Sequence, residues 1–405
     1  MNPVEAAKRL KISGKASAHL DLCRGVAALA VMVSHLRALF FLDYSGVQHK
    51  NAAVAAIYAV TGLGHQAVVI FFVLSGLLIA KSVLYPVRDG SWLWKTYLIN
   101  RCTRLYVVLI PALLLCSFWD WRGMALPGAH PFYSEAVPNL GAWNVIDRFT
   151  LAGFGGNLLF LQSIFYDPFG SNSPLWSLSY EFWYYMLFPL LVLFFSKGVA
   201  RAWRIAYFTL ALAIFVMIGP LIALYFLMWL AGAALTFPLI SRWRAPRERF
   251  GLIGLIGLAV FASALSISRL ELLRQFGDLH LFLVAVSFVP VLLVIVSMKG
   301  DSGSKTYSRL AGLLAGFSYT LYLTHMPLLF FFRTSLASHP RWQPDGLHLL
   351  YGCGIALVVL AYSYAIYWLT ESRTGWVRAG LTKRFSTPAR APEFATYPSD
   401  VGGAA

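Results

Sequence analysis

Long apolar runs separated by short polar segments recur along the whole chain. A helix needs about 20 apolar residues to span the hydrocarbon core of a bilayer. Ten runs approach that length, and they predict an all-α polytopic membrane protein with both termini in the cytoplasm. The predicted spans are residues 20–42, 61–81, 100–118, 174–196, 202–218, 220–240, 250–267, 279–298, 311–333 and 347–371.

The fifth and sixth spans are separated only by Gly219-Pro220, which favours a tight turn. Positive charges test the count, because Lys and Arg accumulate on the cytoplasmic side of membrane proteins. With ten spans, the predicted cytoplasmic segments hold 24 Lys and Arg residues and the outer segments hold eight. One span more or fewer would remove this asymmetry, so the charges favour ten.

The spans define one membrane domain, residues 20–375, between two polar ends. Residues 1–19 are basic and predict a cytoplasmic N-terminal segment. The first apolar run is too long for a signal peptide, so we expect it to stay uncleaved. Residues 376–405 are rich in Pro, Ala and Gly and predict a disordered cytoplasmic tail.

The longest stretch between spans, residues 119–173, is predicted to lie outside. Loops of this length are usually functional or disordered. This one contains Trp119, Trp121 and Trp143 among several other apolar residues. The aromatic content favours packing onto the membrane surface, although an interfacial aromatic belt explains any single Trp equally well.

Composition agrees with a membrane protein: 59% of the 405 residues are hydrophobic and 12% are charged. Soluble domains contain about a quarter charged residues. The net charge of +16 would suggest a nucleic-acid partner in a soluble protein. Here the charge follows the predicted topology, so we expect no nucleic-acid partner. The four scattered cysteines predict neither a disulfide framework nor a zinc site.

Two polar residues of the first span lie on one face of its predicted helix. Arg24 and His35 are 11 residues apart, which is about 20° beyond three full turns and about 16 Å along the axis. A charge in hydrocarbon costs a few kcal/mol or more. The spacing predicts a cation near the inner surface and an imidazole deeper towards the outside. Arg37 is expected only to reach outward to the headgroups.

Polar residues of other spans repeat these two depths. An inner layer of Arg24, Arg101 and Arg104 would bind a phosphorylated ligand. A deeper layer would carry out proton chemistry; its members are His35, Glu181 and His325, with Ser75 or Ser179 nearby.

Most of these residues, taken one at a time, fit a simpler structural role. Arginines at span ends often only determine topology, and a single His in a span often only joins two helices. Glu181 is harder to account for in this way, because carboxylates in spans are rare. The shared depth favours a function for His35 and Glu181. A transporter or flippase of a glycan or small anionic metabolite is the alternative, since polar midplane residues also serve transport.

Five segments resemble, in order, the motifs of the acyltransferase family 3 membrane proteins. LDLCRGVAALAVMVSH is similar to the family's opening LDGLRGIAAL…H, with Arg24 and His35 at the same spacing. The other four are FFVLSGLLIA with Ser75; NRCTRLYVVLIP with Arg101 and Arg104; SPLWSLSYEFWYYMLFPLL with Trp176, Ser179 and Glu181; and FSYTLYLTHMPLL with Tyr319, Tyr322 and His325. Phe182 and Trp183 replace a Glu and a Gln of the family pattern.

The resemblance implies an O-acyltransferase of a bacterial inner membrane. Its donor would be cytoplasmic acyl-CoA, most commonly acetyl-CoA, and its acceptor a hydroxyl of an extracytoplasmic or lipid-linked glycan. The expected partners are acyl-CoA, the glycan and membrane lipid, with no tightly bound cofactor and with homo-oligomerisation left open. His35 would act as general base or carry the acyl group, and the inner arginines would hold the CoA phosphates. The supporting residues would be Ser75, Trp176, Ser179, Tyr319, Tyr322 and His325.

Matched depth predicts one specific contact, between Glu181 and His35. The carboxylate would orient the imidazole and stabilise its cation, as in a catalytic triad. No metal is expected, because the intramembrane histidines lie on different spans without supporting ligands.

Overall fold

A computed structural model describes residues 12–135, 144–236, 250–269, 277–301, 303–336 and 338–385. Within these ranges the regular structure is helical and no β-strand forms. The predicted all-α class is therefore confirmed.

Fifteen α-helices form in the described ranges. In chain order they are α1 Gly14–Phe40, α2 Ala52–Thr61, α3 Gly64–Arg88, α4 Trp94–Met124, α5 His130–Ser134, α6 Val145–Arg148, α7 Leu151–Leu158, α8 Trp176–Phe195, α9 Arg201–Ala233, α10 Phe250–Ile267, α11 Leu279–Ser297, α12 Lys305–Gly316, α13 Ser318–Ser335, α14 Gly346–Leu369 and α15 Thr374–Phe385.

Several helices extend beyond the predicted spans. α1 begins at Gly14 rather than residue 20, where Ser13 Oγ accepts a hydrogen bond from Ala16 N at 3.1 Å. α4 runs through Trp94–Met124 rather than 100–118. The length of an apolar run reflects only the thickness of the hydrocarbon core. A helix can continue beyond it into water, because capping residues satisfy its terminal N–H and C=O groups.

The predicted turn at Gly219-Pro220 is confirmed as a break inside α9. Gly219 has φ 74° and ψ 176°, a conformation that Gly adopts without steric cost. The rings of Phe215 and Phe226 lie with centroids 5.8 Å apart. In a straight helix residues 11 positions apart would be separated by about 16 Å along the axis. The two arms of α9 therefore fold back towards each other.

A second break separates α12 from α13, which the sequence predicts as one span over 311–333. The two helices are bent by 50°. In the described chain, seven helices are long and apolar enough to cross a membrane, or eight if this bent pair forms one crossing. The predicted number of ten spans thus stays a prediction.

The polar ends and the long loop differ in part from expectation. Residues 376–385 belong to α15, so this part of the predicted tail is helical. Trp119 and Trp121 belong to α4, where Trp119 Nε1 donates to Tyr362 OH at 3.0 Å. Trp143, residues 1–11 of the N-terminal segment and residues 386–405 lie outside the described residues.

α3 lies at the centre of the helices that carry the predicted polar residues. It packs against α1, α8, α9 and α11. Its contact with α9 requires two glycines: a Cβ on Gly76 would collide with backbone atoms of Trp229 and Ala233, and one on Gly232 would collide with Val73. This close approach positions the polar face of α3 beside α8 and α9.

Candidate active site

Two cavities lie among the helices that carry the predicted residues. The inner cavity, named from the predicted orientation, has a volume of about 170 Å³, and the outer cavity has a volume of about 1230 Å³. The polar lining of the inner cavity includes Arg24, Ser75, Arg101, Arg104, Glu181 and Tyr319. That of the outer cavity includes His35, Arg37, Tyr58, His65 and Trp176. Val68 and Tyr322 line both cavities, so they form the wall at which the cavities meet.

The three predicted arginines all line the inner cavity. Arg24 Nη1 lies 3.8 Å from Asp21 Oδ1 on the same helix. Arg104 Nη1 lies 3.3 Å from Glu371 Oε1, on the turn after α14. Arg101 Nε is buried and has no hydrogen-bond partner in the described chain. The cavity lining therefore includes one arginine with an unpaired N–H, beside two arginines that lie near carboxylates.

Aromatic rings hold two of these arginines in place. The Arg101 guanidinium lies 5.8 Å from the ring centroid of Tyr97 and 5.9 Å from that of Tyr185. Arg104 lies 5.7 Å from the ring of Tyr319. Such cation–π contacts stabilise the charge and leave the in-plane N–H groups for a ligand. Tyr319 thus packs against a cation of the inner layer, and its supporting role stays a prediction.

Glu181 lies in the inner cavity and does not pair with His35. Its Oε1 accepts a hydrogen bond from Ser75 Oγ at 3.1 Å and another from Tyr185 OH. Ser75 Oγ in turn accepts from Trp229 Nε1 at 3.2 Å. The predicted pairing was wrong because the depth of a residue in a span does not specify which way its side chain points. Glu181 lines the inner cavity, whereas His35 lines the outer cavity.

His35 is paired with His325 instead. His325 Nδ1 lies 2.8 Å from the Leu321 carbonyl oxygen, which only accepts, so His325 carries its proton on Nδ1. Its Nε2 then accepts from His35 Nδ1 at 2.9 Å. In neutral His35 the unprotonated nitrogen is therefore Nε2, on the ring edge away from His325. Because His35 lines the outer cavity, this arrangement places a base there.

The wall between the cavities is a hydrogen-bonded unit. Tyr322 OH donates to the Pro174 carbonyl at 3.1 Å and lies 2.6 Å from Ser177 Oγ. Val68 and the Phe71 ring, whose centroid is 5.9 Å from that of Tyr322, pack beside it. The two cavities meet at these side chains.

The outer cavity has an aromatic and histidine lining. Trp176 packs against His65 with ring centroids 5.4 Å apart, and His65 Nε2 lies 2.9 Å from Tyr225 OH. Arg37 also lines this cavity, which corrects the expectation that it only reaches outward to headgroups. Flat aromatic faces beside polar groups suit a ligand with both apolar and hydroxyl-bearing faces.

Ser179, like His325, belongs to neither cavity lining. It is buried, and its Oγ donates to the Phe160 carbonyl at 2.8 Å. Trp183 Nε1 donates to the same oxygen at 2.9 Å. Phe160 has a φ of 57°, so these bonds hold an unusual backbone conformation in the loop before α8. Ser179 thus acts on the loop rather than on a ligand.

Sequence reasoning missed three partners of the site. Asp21 precedes Arg24 by three residues, a spacing typical of ion pairs on a helix, and this signal was available. Tyr185 follows Glu181 by four residues, which also places both on one face. Glu371 carried no local signal, because its contact with Arg104 joins distant parts of the chain.

Comparisons with known proteins identify the family of the chain. Residues 17–368 match the family model described as "Acyltransferase domain". One relative is Acyltransferase MdmB from Streptomyces mycarofaciens, which is 28% identical over 339 residues, covering 76% of this chain and 77% of that protein. No solved structure matches the chain. The matched residues include the lining of both cavities, and the chain accordingly belongs to acyltransferase family 3, as an enzyme of the all-α membrane type.

Proposed function

We propose that this enzyme transfers an acyl group, commonly acetyl, from cytoplasmic acyl-CoA to a hydroxyl of an extracytoplasmic or lipid-linked glycan. It would do so in the plasma membrane of a bacterium. The observation that carries the proposal is the meeting of two chemically different cavities at Val68 and Tyr322. One has three arginines, and the other has the base edge of His35.

The inner cavity is the proposed donor site. Arg24, Arg101 and Arg104 would bind the CoA phosphates, because guanidinium groups match phosphate oxygens in charge and geometry. A volume of about 170 Å³ suits the narrow pantetheine arm rather than the nucleotide. The axial distance of about 16 Å from Arg24 to His35 is comparable to such an extended arm.

Ser75 and Glu181 lie along this proposed path. Since Glu181 already accepts two hydrogen bonds, its carboxylate stays fixed without His35. Its remaining lone pairs would accept from an amide N–H of the arm. We therefore assign Glu181 to donor positioning.

The outer cavity is the proposed acceptor site, with His35 Nε2 as general base. The nitrogen would take the proton of the acceptor hydroxyl while that oxygen attacks the thioester carbonyl at the wall. Collapse of the tetrahedral adduct breaks the C–S bond, and the imidazolium returns its proton to the CoA sulfur. At the wall, the Ser177 hydroxyl would turn to donate to the developing oxyanion, since the Tyr322 OH proton is held by the Pro174 carbonyl.

The test uses purified enzyme in proteoliposomes, labelled acetyl-CoA, and surface glycan extracted from a strain that lacks the enzyme. Wild-type enzyme should label the glycan, and His35→Ala should lower the rate about 100-fold or more, as expected for loss of a general base. Labelling that persists in His35→Ala would contradict the assignment.

An arginine pair tests the donor site separately. Arg101→Gln should raise KM for acetyl-CoA with a smaller effect on kcat, because it removes binding rather than chemistry. Arg88→Gln is the matched control, since Arg88 is exposed, lies at the same predicted side, and pairs with Asp89. Equal effects of both substitutions would point to surface charge instead of a CoA site.

A further inference from the structure

Arg37 lines the outer cavity and has no role in the proposed reaction. Arg37 follows His35 by two residues on α1, and both line the same cavity. The Arg37 Nε atom is buried and has no hydrogen-bond partner in the described chain. A buried N–H without a partner costs free energy. The site therefore gains by binding an acceptor atom there.

The Arg37 side chain is held in position by an aromatic ring. Its guanidinium lies 5.1 Å from the ring centroid of Tyr58. Tyr58 is itself fixed, because its OH donates to the Leu42 carbonyl at 2.6 Å. The face of the Tyr58 ring stabilises the Arg37 charge and accepts no hydrogen bond from the in-plane N–H groups of the guanidinium. Those donors stay available to a ligand.

The charges on the cavity wall favour an anion. Arg269 adds a second cation, which donates to the backbone carbonyls of Ala59 at 2.5 Å and Tyr58 at 3.1 Å. Asp43 is the acidic side chain among the described residues of this lining, and it makes an ion pair with Arg341 at 3.0 Å. The wall thus keeps a positive character around Arg37.

We infer that Arg37 forms a subsite of the outer cavity for an anionic group, a carboxylate or phosphate, carried by the acceptor next to the hydroxyl that is acylated. This inference rests on the proposed acceptor site. Charge-assisted hydrogen bonds to the anion would fix the register of the acceptor relative to His35. The substrate class would then be acidic glycans or sugar phosphates rather than neutral sugars.

Binding of two small probes tests the subsite without any acyl transfer. Methyl glucuronide and methyl glucoside differ in one carboxylate, and their binding to full-length enzyme in phosphatidylcholine nanodiscs is measured by saturation-transfer NMR. We expect the wild type to bind the glucuronide about tenfold more tightly. Arg37→Gln should remove this preference, and Arg37→Lys should retain part of it. Equal binding of both probes by the wild type would overturn the inference.

A matched variant controls for surface charge. Arg122 lies exposed at the outer end of α4, over the ring of Trp121 and outside the cavity lining. Arg122→Gln should keep the full preference for glucuronide. A preference lost in both variants would overturn the subsite. Thermal unfolding shows whether each variant folds. If Arg37→Gln does not fold, the preference for glucuronide is compared between the wild type and Arg37→Lys instead.

Two further measurements distinguish the acceptor from a lipid headgroup and the subsite from the reaction. Nanodiscs with added phosphatidylglycerol test whether a lipid headgroup occupies the subsite: an unchanged preference supports the acceptor, and a lost preference assigns Arg37 to lipid. Acetyl-CoA is absent from every binding measurement. If glucuronide preference depends on Arg37 while transfer to glycan fails, the subsite stands and the proposed reaction falls.

Discussion

The proton arrangement of His35 is determined by residues of another helix. The Leu321 carbonyl fixes the tautomer of His325, and His325 in turn fixes that of His35. In a catalytic triad a carboxylate accepts the corresponding hydrogen bond and stabilises the imidazolium. Here the neutral imidazole of His325 accepts the hydrogen bond from His35. It stabilises the His35 imidazolium less than a carboxylate would, so we expect this cation to be short-lived.

This arrangement predicts a spectroscopic signature and a kinetic effect. With ¹⁵N-labelled His, resting His35 should be the Nδ1–H tautomer, whereas His325→Ala should give a tautomer mixture. That variant should lower kcat about 100-fold, since the base edge is no longer fixed. KM for acyl-CoA should stay unchanged, because the inner cavity keeps its lining.

His49→Ala is the control for that experiment. His49 is exposed in the loop after α1 and should change neither the His35 resonances nor kcat. An Nε2–H tautomer of His35 in the wild type would contradict the proton chain, whatever the kinetics.

At the scale of elements, the site depends on how closely α3 and α9 approach. Gly76 and Gly232 allow backbone contact between these helices, and Trp229 then reaches Ser75. Small residues allow such contacts in membranes, where packing rather than hydrophobic burial drives association. The same contact that joins the helices therefore holds one end of the Glu181 network.

A methyl group at this contact should be costly. Gly76→Ala would place a Cβ within 3.0 Å of Ala233 N, so the helices must separate, and we expect a loss of about 1–3 kcal/mol in unfolding free energy. Gly354→Ala is the matched control, since Gly354 lies in α14 with no atom near its added Cβ. It should stabilise slightly, by about 0.5–1 kcal/mol. Thermal unfolding in detergent measures both, and equal midpoints would refute close packing.

The elements also show how far the sequence predicts the fold. Apolar runs located the spanning helices, and Gly219-Pro220 located the break in α9, because both signals are local. The helix ends and the bend between α12 and α13 escaped prediction. They depend on contacts such as Glu371 Oε2, which accepts from Thr320 N at 3.1 Å in the first turn of α13.

For the whole molecule, the depth of polar residues in the predicted spans indicated which of them share a cavity. It did not indicate which side chains are in contact. Arg24, Arg101 and Arg104 do share one cavity. Glu181 and His35 lie on different sides of a wall that no single span encodes. The wall arises only when α3, α8 and α13 pack, which brings Val68, Ser177 and Tyr322 together.

If acyl transfer occurs where the two cavities meet, a bulky side chain at Val68 should block the reaction while the arginines and His35 stay in place. Val68→Trp should lower kcat about 100-fold, because the acyl carbon no longer reaches the acceptor oxygen. CoA binding, measured by calorimetry, should stay unchanged, since the substitution removes none of the three arginines.

Val216→Trp provides the comparison, because Val216 is 77% exposed on α9 and lines neither cavity. The same added volume there should leave turnover unchanged. If Val68→Trp weakened CoA binding as much as turnover, the wall would be part of the donor site instead. If neither changed, acyl transfer would follow a route that avoids Val68. Only a loss of turnover with CoA binding intact fits a reaction in which donor and acceptor enter from opposite sides.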